Sequence, residues 1–445
     1  MKALHPVILY YFFVGLAFFG PLLSYISYRS IVPVCAFAAI GSVFSIGRLR
    51  FFAIINEISI ISKLVTCLFF LWLFGTTLWA PDTSRGLISA MKFLGSWSII
   101  FCMCIGALHL NQRTAEKVLV FLSISLSVVI FLLVSDLVSN GMVSFLLFKR
   151  KYIPLYGFFW FKPTVTLVTL GVLVLSCKCW ALEKKALSVT MVISIFFMAI
   201  MLNSKTLAIA IPFSLLSAAF LASCGKHRVK VLVCTLFFST IILVGSIGNT
   251  FKAEDVSHSL PENNYPTDNR KFLEKLLQSD NSAYTKTLTI IQHSAIVSLI
   301  HRAHIWEYSV DKIKKKPFHG WGLGASRYIG NKKTVMDPKR IIFGELLPLH
   351  SHNFALQVWL EIGLVGYLIL LILVYIILSK ADQALRASHF ERVFLLTILL
   401  ICITLWYLNY GAWTSWWLHQ LGFIIAMAII SLQLKHPSNT SHEKR

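Results

Sequence analysis

The chain has 445 residues, of which 57% are apolar and only 13% charged. That balance excludes a water-soluble domain, and repeated apolar runs of about 18 residues or more specify a polytopic helical membrane protein instead of a barrel, whose strands would alternate. The formal net charge of +22 comes from lysines and arginines that collect largely between the runs.

In chain order, the opening MKALHPVILYYFFVGLAFFG has one lysine and no small-residue cleavage site, so it reads as a retained first span and not a removed signal peptide. With about 20 residues per crossing, twelve spans centre near Phe13, Phe37, Phe69, Trp97, Ser127, Val172, Ile195, Leu215, Phe238, Tyr367, Ile401 and Ile424. Basic residues recur in alternate short loops: Arg48 and Arg50, Arg113 and Lys117, Lys184 and Lys185, then Lys226, Arg228 and Lys230. Lys380, Arg386 and Arg392 follow, and the tail carries Lys435, Lys444 and Arg445. The positive-inside rule makes these cytoplasmic, with both termini inside and the segment from Asn249 to Ser351 outside. The expected units are residues 1–248 with nine spans, 249–351 as a large outer loop, 352–434 with three spans, and a cytoplasmic tail at 435–445.

All nine cysteines lie in or beside apolar runs, so no disulfide framework is legible, and the pairs Cys102/Cys104 and Cys177/Cys179 lack a second pair for zinc. Between the fifth and sixth spans, LLFKRKYIPLYGFFWFKP sets Lys149, Arg150, Lys151 and Lys162 among aromatics. This is either an interfacial segment with snorkelling lysines or a surface for an anionic lipid or glycolipid.

The outer loop begins polar and turn-rich. Its later part, SLIHRAHIWEYSVDKIKKKPFHGWGLG, repeats Leu299, Ala303, Trp306, Val310 and Ile313 at alternating steps of four and three, which predicts an amphipathic helix that roofs the bundle or lies on the membrane. Pro317, Gly320, Gly322 and Gly324 end it in a tight turn.

Five places carry candidate chemistry. His352 and Asn353 stand where the tenth span meets the outer face, with Ser351 or Asn353 as its cap, and the free amides there suit an anion. Arg302 sits beside the apolar stripe of the roofing helix, either snorkelling or directed at the membrane mouth. His301, His304 and Glu307 hint at a metal, but steps of three fan them around the helix. Lys205 follows the seventh span on the outer side. Glu361 lies nine residues past His352, roughly 13 Å down a helix, where a charge is costly unless paired. With Gly363 and Gly366 allowing close packing, Glu361 reads as a support.

On His352 followed by Gly363 within HSHNFALQVWLEIGLVG, on Arg302 in HRAHIWEY leading to PFHGWGLG, and on twelve spans with one large outer loop, the chain resembles the O-antigen ligase family, part of a superfamily shared with O-antigen polymerases. The resemblance implies a GT-C-like glycosyltransferase of the bacterial inner membrane facing the periplasm. It would move a glycan from undecaprenyl diphosphate to lipid A-core, with membrane lipids around it and without nucleotide sugar, metal, other cofactor or nucleic acid. Carried over, Arg302 is a diphosphate ligand and His352 the base, acting in an inverting transfer. Where the family has a second arginine after a small residue, this chain has Lys205 after Ser204. Asn353, Glu361, Gly363, Lys149, Arg150 and Lys151 are candidates for support or substrate contact.

Two rival readings stand beside this one. A polymerase would use the same donor with a lipid-linked repeat as acceptor. A transporter is suggested by Lys63, Lys92, Lys178 and Glu361 within spans, but predicts inverted repeats that the sequence does not show by eye.

Overall fold

The computed structural model describes residues 4–139, 141–148, 161–202, 204–247, 301–330, 334–336, 342–345, 347, 349–384 and 388–434. In chain order the helices are α1 (Leu4–Ile26), α2 (Ile31–Ile46), α3 (Arg48–Glu57), α4 (Ile60–Gly75), α5 (Thr83–Leu108), α6 (Gln112–Val138), α7 (Met142–Phe148) and α8 (Lys162–Ala181). They continue as α9 (Lys185–Met201), α10 (Lys205–Ser223), α11 (Arg228–Ser246), α12 (301–315), α13 (Ser326–Ile329), α14 (Phe354–Ala384), α15 (His389–Leu408) and α16 (Ser415–Leu432). Among the described residues, eleven helices are long and apolar enough to cross a membrane, and α9, with 17 residues, is a shorter apolar helix. Every one of the twelve span centres falls inside a helix, and the chain is an all-α, multi-pass membrane protein. One small addition was not anticipated: a ribbon in which β1 (Thr334–Met336) pairs antiparallel with β2 (Ile342–Glu345).

The helix starts follow local chemistry. Asp82 accepts from the Arg85 amide at 2.9 Å to cap α5, Asn111 accepts from Thr114 at 2.9 Å to cap α6, and Ser388 and Glu391 form a reciprocal capping box on α15. Each cap satisfies an amide that neither the helix nor lipid could.

The main core gathers α1, α2, α6, α8 and α16, with Phe13, Leu122, Leu173, Trp417 and Phe423 fully buried. A second cluster joins α4, α5 and α14 around Phe69, Phe93, Val358 and Tyr367. The apolar face of α12, with Ala303, Val310 and Ile313 buried, packs on Leu356, Trp359 and Leu360 of α14 and on Val244 and Ile247 at the end of α11. Leu299 of that stripe lies outside the described residues. At the opposite end of α14, Asp382 pairs with Arg228 at 3.4 Å and Arg392 at 3.8 Å, tying α14 to α11 and α15.

Candidate functional site

The helix that carries the site is broken. Within α14, Gly363 has φ 73° and ψ 176°, and a Cβ there would lie 2.1 Å from the Phe318 carbonyl oxygen. The turn after α12 enters this break and completes its hydrogen bonds. Trp321 and Gly322 amides donate to the Leu360 and Glu361 carbonyls at 2.9 and 2.8 Å, while Leu364 and Val365 amides donate to the Pro317 and Phe318 carbonyls at 2.8 and 3.2 Å. The Ile362 carbonyl accepts from Trp72 Nε1 at 2.8 Å. An interrupted helix at membrane depth is tolerated when protein groups replace the lost partners, as they do here. The turn can reach so far because Gly320, Gly322 and Gly324 all have positive φ, and a Cβ at Gly320 would lie 2.6 Å from the Glu361 carbonyl oxygen.

Glu361 is fully buried beside the break and takes five donors. Gly324 N reaches its Oε2 at 2.7 Å and Trp413 Nε1 the same oxygen at 2.8 Å. Ser326 Oγ, Ser326 N and Gln357 Nε2 reach Oε1 at 2.5, 3.4 and 3.2 Å. Gln357 Oε1 in turn accepts from the Ala412 amide at 2.8 Å. Glu361 and Gln357 thus pin both the turn at 320–326 and the elbow at 409–414 to one turn of α14. Both side chains are engaged in bracing these segments.

That elbow organises the helix mouth. Asn353 caps α14, its Oδ1 accepting from the Leu356 amide at 3.1 Å, while Ser351 Oγ donates to the Asn353 carbonyl at 2.7 Å. His352, at φ 52°, bonds through Nδ1 to the Asn409 carbonyl at 3.2 Å. A carbonyl only accepts, so His352 carries its proton on Nδ1 and its lone pair on Nε2. The Asn409 side-chain oxygen accepts from Arg302 Nη2 at 3.1 Å and from Thr206 Oγ1 at 3.3 Å. One residue therefore joins α12, the start of α10 and the imidazole.

The electrostatics follow from that crowding. Burial first, then His350 and Arg302, push His352 down to about 3, and burial with Arg327 and Arg302 holds His350 at about 4, so both rings are neutral near pH 7. Burial also pulls the Arg302 guanidinium below its usual value, from a range high enough that it stays cationic. Lys205 is the half-buried first residue of α10, next to Thr206. Lys162, the first residue of α8, is close enough to Arg302 and Lys205 for both charges to act on it. Three cations and a neutral imidazole at one end of the bundle can hold a polyanion beside a proton acceptor.

Of the residues singled out in the sequence, the fold brings Arg302, His352 and Asn353 together, with Lys205 adjacent through Thr206, and sets Glu361 and Gly363 behind them. Lys149, Arg150 and Lys151 lie outside the described residues. Among the described residues, no three His, Cys, Asp or Glu side chains gather as a metal would need. Asn409, Thr206, Gln357 and Trp413 were missed, and Lys162 was read only as part of its loop. The signal for Asn409 was the polar stop in LNYGAW between two apolar runs, and the signal for Gln357 was its place four residues before Glu361.

Among the comparisons with known proteins, a family model falls on the same region. The family model described as O-antigen ligase matches residues 189–371, a stretch that includes Lys205, Arg302, His352 and Glu361 and ends before Asn409. Proteins named as polysaccharide ligases are similar to this chain. One from Rickettsia typhi is 33% identical over 138 residues, which are 31% of this chain and 33% of the relative. One from Rickettsia prowazekii is 32% identical over 138 residues, again 31% and 33%. A third, from Rickettsia conorii, is 34% identical over 125 residues, 27% and 29%. The matched segments span at most 33% of the length of these curated relatives. The resemblance first seen at His352, Gly363 and Arg302 is therefore met independently.

Proposed function

We propose that this chain is an O-antigen ligase of the bacterial inner membrane, a glycosyltransferase that moves a glycan from undecaprenyl diphosphate to lipid A-core. In this reading residues 1–248 and 352–434 form the membrane body, 249–351 lie on the periplasmic side with the site, and both termini and the tail at 435–445 are cytoplasmic, a reading that the alternating basic loops support.

The observation that carries the reading is the shared anchor of Arg302 and His352 on Asn409. It sets a forked cation and a neutral imidazole nitrogen at one mouth. Arg302 would grip the donor diphosphate through two oxygens, with Lys205 as a second, single-point contact. The acceptor hydroxyl oxygen attacks the anomeric carbon from the face opposite the diphosphate. As that bond forms, the bond from carbon to the diphosphate oxygen breaks, and undecaprenyl diphosphate leaves with the electron pair. Nε2 of His352 takes the hydroxyl proton, and the configuration at the anomeric carbon inverts. Charge building on the leaving group is offset by fixed cations near low-dielectric lipid, which is the task a divalent metal performs elsewhere.

The electrostatics give the donor a second effect. Arg302 and burial hold His352 low in the free protein. A bound diphosphate cancels cationic charge at the mouth and makes the imidazole more basic when a proton must be taken.

Deletion of the gene tests the reading by the lipopolysaccharide it leaves. Bare lipid A-core together with accumulated lipid-linked polymer is the expected pattern; core capped by a single repeat would contradict it and assign polymerisation instead.

A further inference from the structure

The mouth contains a second histidine, His350, that the proposed transfer does not use. We infer that His350 is a positioning residue: its Nδ1 accepts the backbone N–H of His352 and holds that residue in the conformation that aims the His352 imidazole. The inference rests on the ligase reading above.

His352 is one of two residues other than glycine with positive φ among the described residues, at 52°. Such a backbone costs free energy and persists where neighbours over-determine it. Three contacts do so here. The His352 amide donates to His350 Nδ1 at 3.1 Å. The Ser351 carbonyl between them accepts from Trp306 Nε1 at 3.0 Å. The two imidazoles meet edge to face with centroids 4.3 Å apart.

The His350 ring is itself held in place. At Gly411 a Cβ would come within 3.0 Å of ring atoms Cγ and Cδ2, so the elbow that carries Asn409 closes over this ring. An amide only donates, so Nδ1 of His350 is the unprotonated nitrogen and Nε2 bears the hydrogen. The two histidines are opposite tautomers: His350 accepts through Nδ1, and His352 donates through Nδ1 to Asn409 and keeps its lone pair on Nε2. His350 thus fixes where the backbone of the base stands, and Asn409 fixes how its ring is turned.

Substitution separates this role from the alternatives, because an asparagine oxygen can stand where Nδ1 stands and a glutamine amide reaches where Nε2 stands. Transfer is measured per folded molecule on the purified full chain, from an undecaprenyl diphosphate-linked glycan to lipid A-core. His350→Ala is expected to lower kcat roughly ten- to hundredfold, the penalty of a slightly misplaced catalytic group, with donor KM within about threefold. His350→Asn is expected to recover most of the rate, and His350→Gln little of it. Rescue by glutamine and not asparagine would mean that His350 touches substrate and would overturn the inference. Equal losses in all three variants, or a wild-type rate in His350→Ala, would also overturn it. Nitrogen-15 histidine spectra of the wild-type protein decide the matter even where a variant does not fold: a proton on Nδ1 of His350 sinks the inference, and an unprotonated Nδ1 supports it. A wild-type protein that transfers nothing brings down the ligase reading and this inference together, whereas an active wild type with the wrong rescue pattern removes the inference alone.

Discussion

Arg302 donates to the side-chain oxygen of Asn409 at 3.1 Å, so the guanidinium is held by a neutral amide that leaves its charge intact. A carboxylate there would hold it as well but would cancel the charge that the proposed donor diphosphate needs. Arg302→Lys should therefore fail more severely than a conservative change suggests, because one ammonium cannot reproduce a two-point contact. Donor KM should rise about tenfold or more, the order of one lost charge-assisted bond. A donor titration checks this, and a full rate at low donor would move the phosphate contact away from Arg302.

Lys205 stands where the resemblance leads one to expect arginine. Its neighbour Thr206 shares the Asn409 oxygen with Arg302, which sets the start of α10 at the same mouth. Lys205→Ala should lose roughly ten- to a thousandfold in rate per folded molecule, and Lys205→Arg should keep or raise it. If Lys205 only anchors the helix end, alanine would change abundance and leave the rate per molecule intact.

The pH dependence follows from the imidazole. In the proposed transfer His352 works in its neutral form, and its pKa is lowered to about 3 by burial, His350 and Arg302. Activity that needs a neutral group is lost as pH falls through its pKa, so kcat/KM, which reports the free protein, should stay level down to about pH 5. The acid limb of kcat should lie at higher pH, because a bound diphosphate donor, as proposed, would raise the imidazole pKa. A kcat/KM limb at about 6.5, the ordinary histidine value, would contradict the crowded mouth.

Gly363 supports the site through backbone geometry. Its φ of 73° with ψ of 176° is a conformation that residues with a Cβ avoid, and the Phe318 carbonyl occupies the space a Cβ would need. Gly363→Ala should destabilise the protein by about 3 kcal/mol or more, from backbone strain plus the clash. Thermal unfolding of the purified protein measures it, and an alanine variant with unchanged Tm and abundance would rule out the break as a requirement.

The spans were legible because lipid imposes a simple demand: about 20 apolar residues with all backbone groups paired internally. The break in α14 was not, because it depends on backbone partners from 317–322, far from it in sequence, and a glycine among apolar residues looks the same whether it allows close packing or a left-handed turn. Glu361 was recognised as an expensive buried charge, but its five donors come from three separate segments whose meeting no periodicity encodes. Asn409 escaped notice for a related reason. It is uncharged, lies in a short elbow, and gains its place only when α12, α10 and the His352 bend converge on it. The apolar face of α12 was readable from its spacing, and with it the rough position of Arg302; the acceptor that holds the guanidinium was not.

The most direct measurement is transfer between two lipids by the purified protein in detergent, with undecaprenyl diphosphate-linked glycan as donor, lipid A-core as acceptor and excess chelator present. Wild-type protein should build glycan onto lipid A-core under these conditions. Folded His352→Ala protein should build none above background. Transfer by His352→Ala at the wild-type rate would contradict the assignment of His352 as the base.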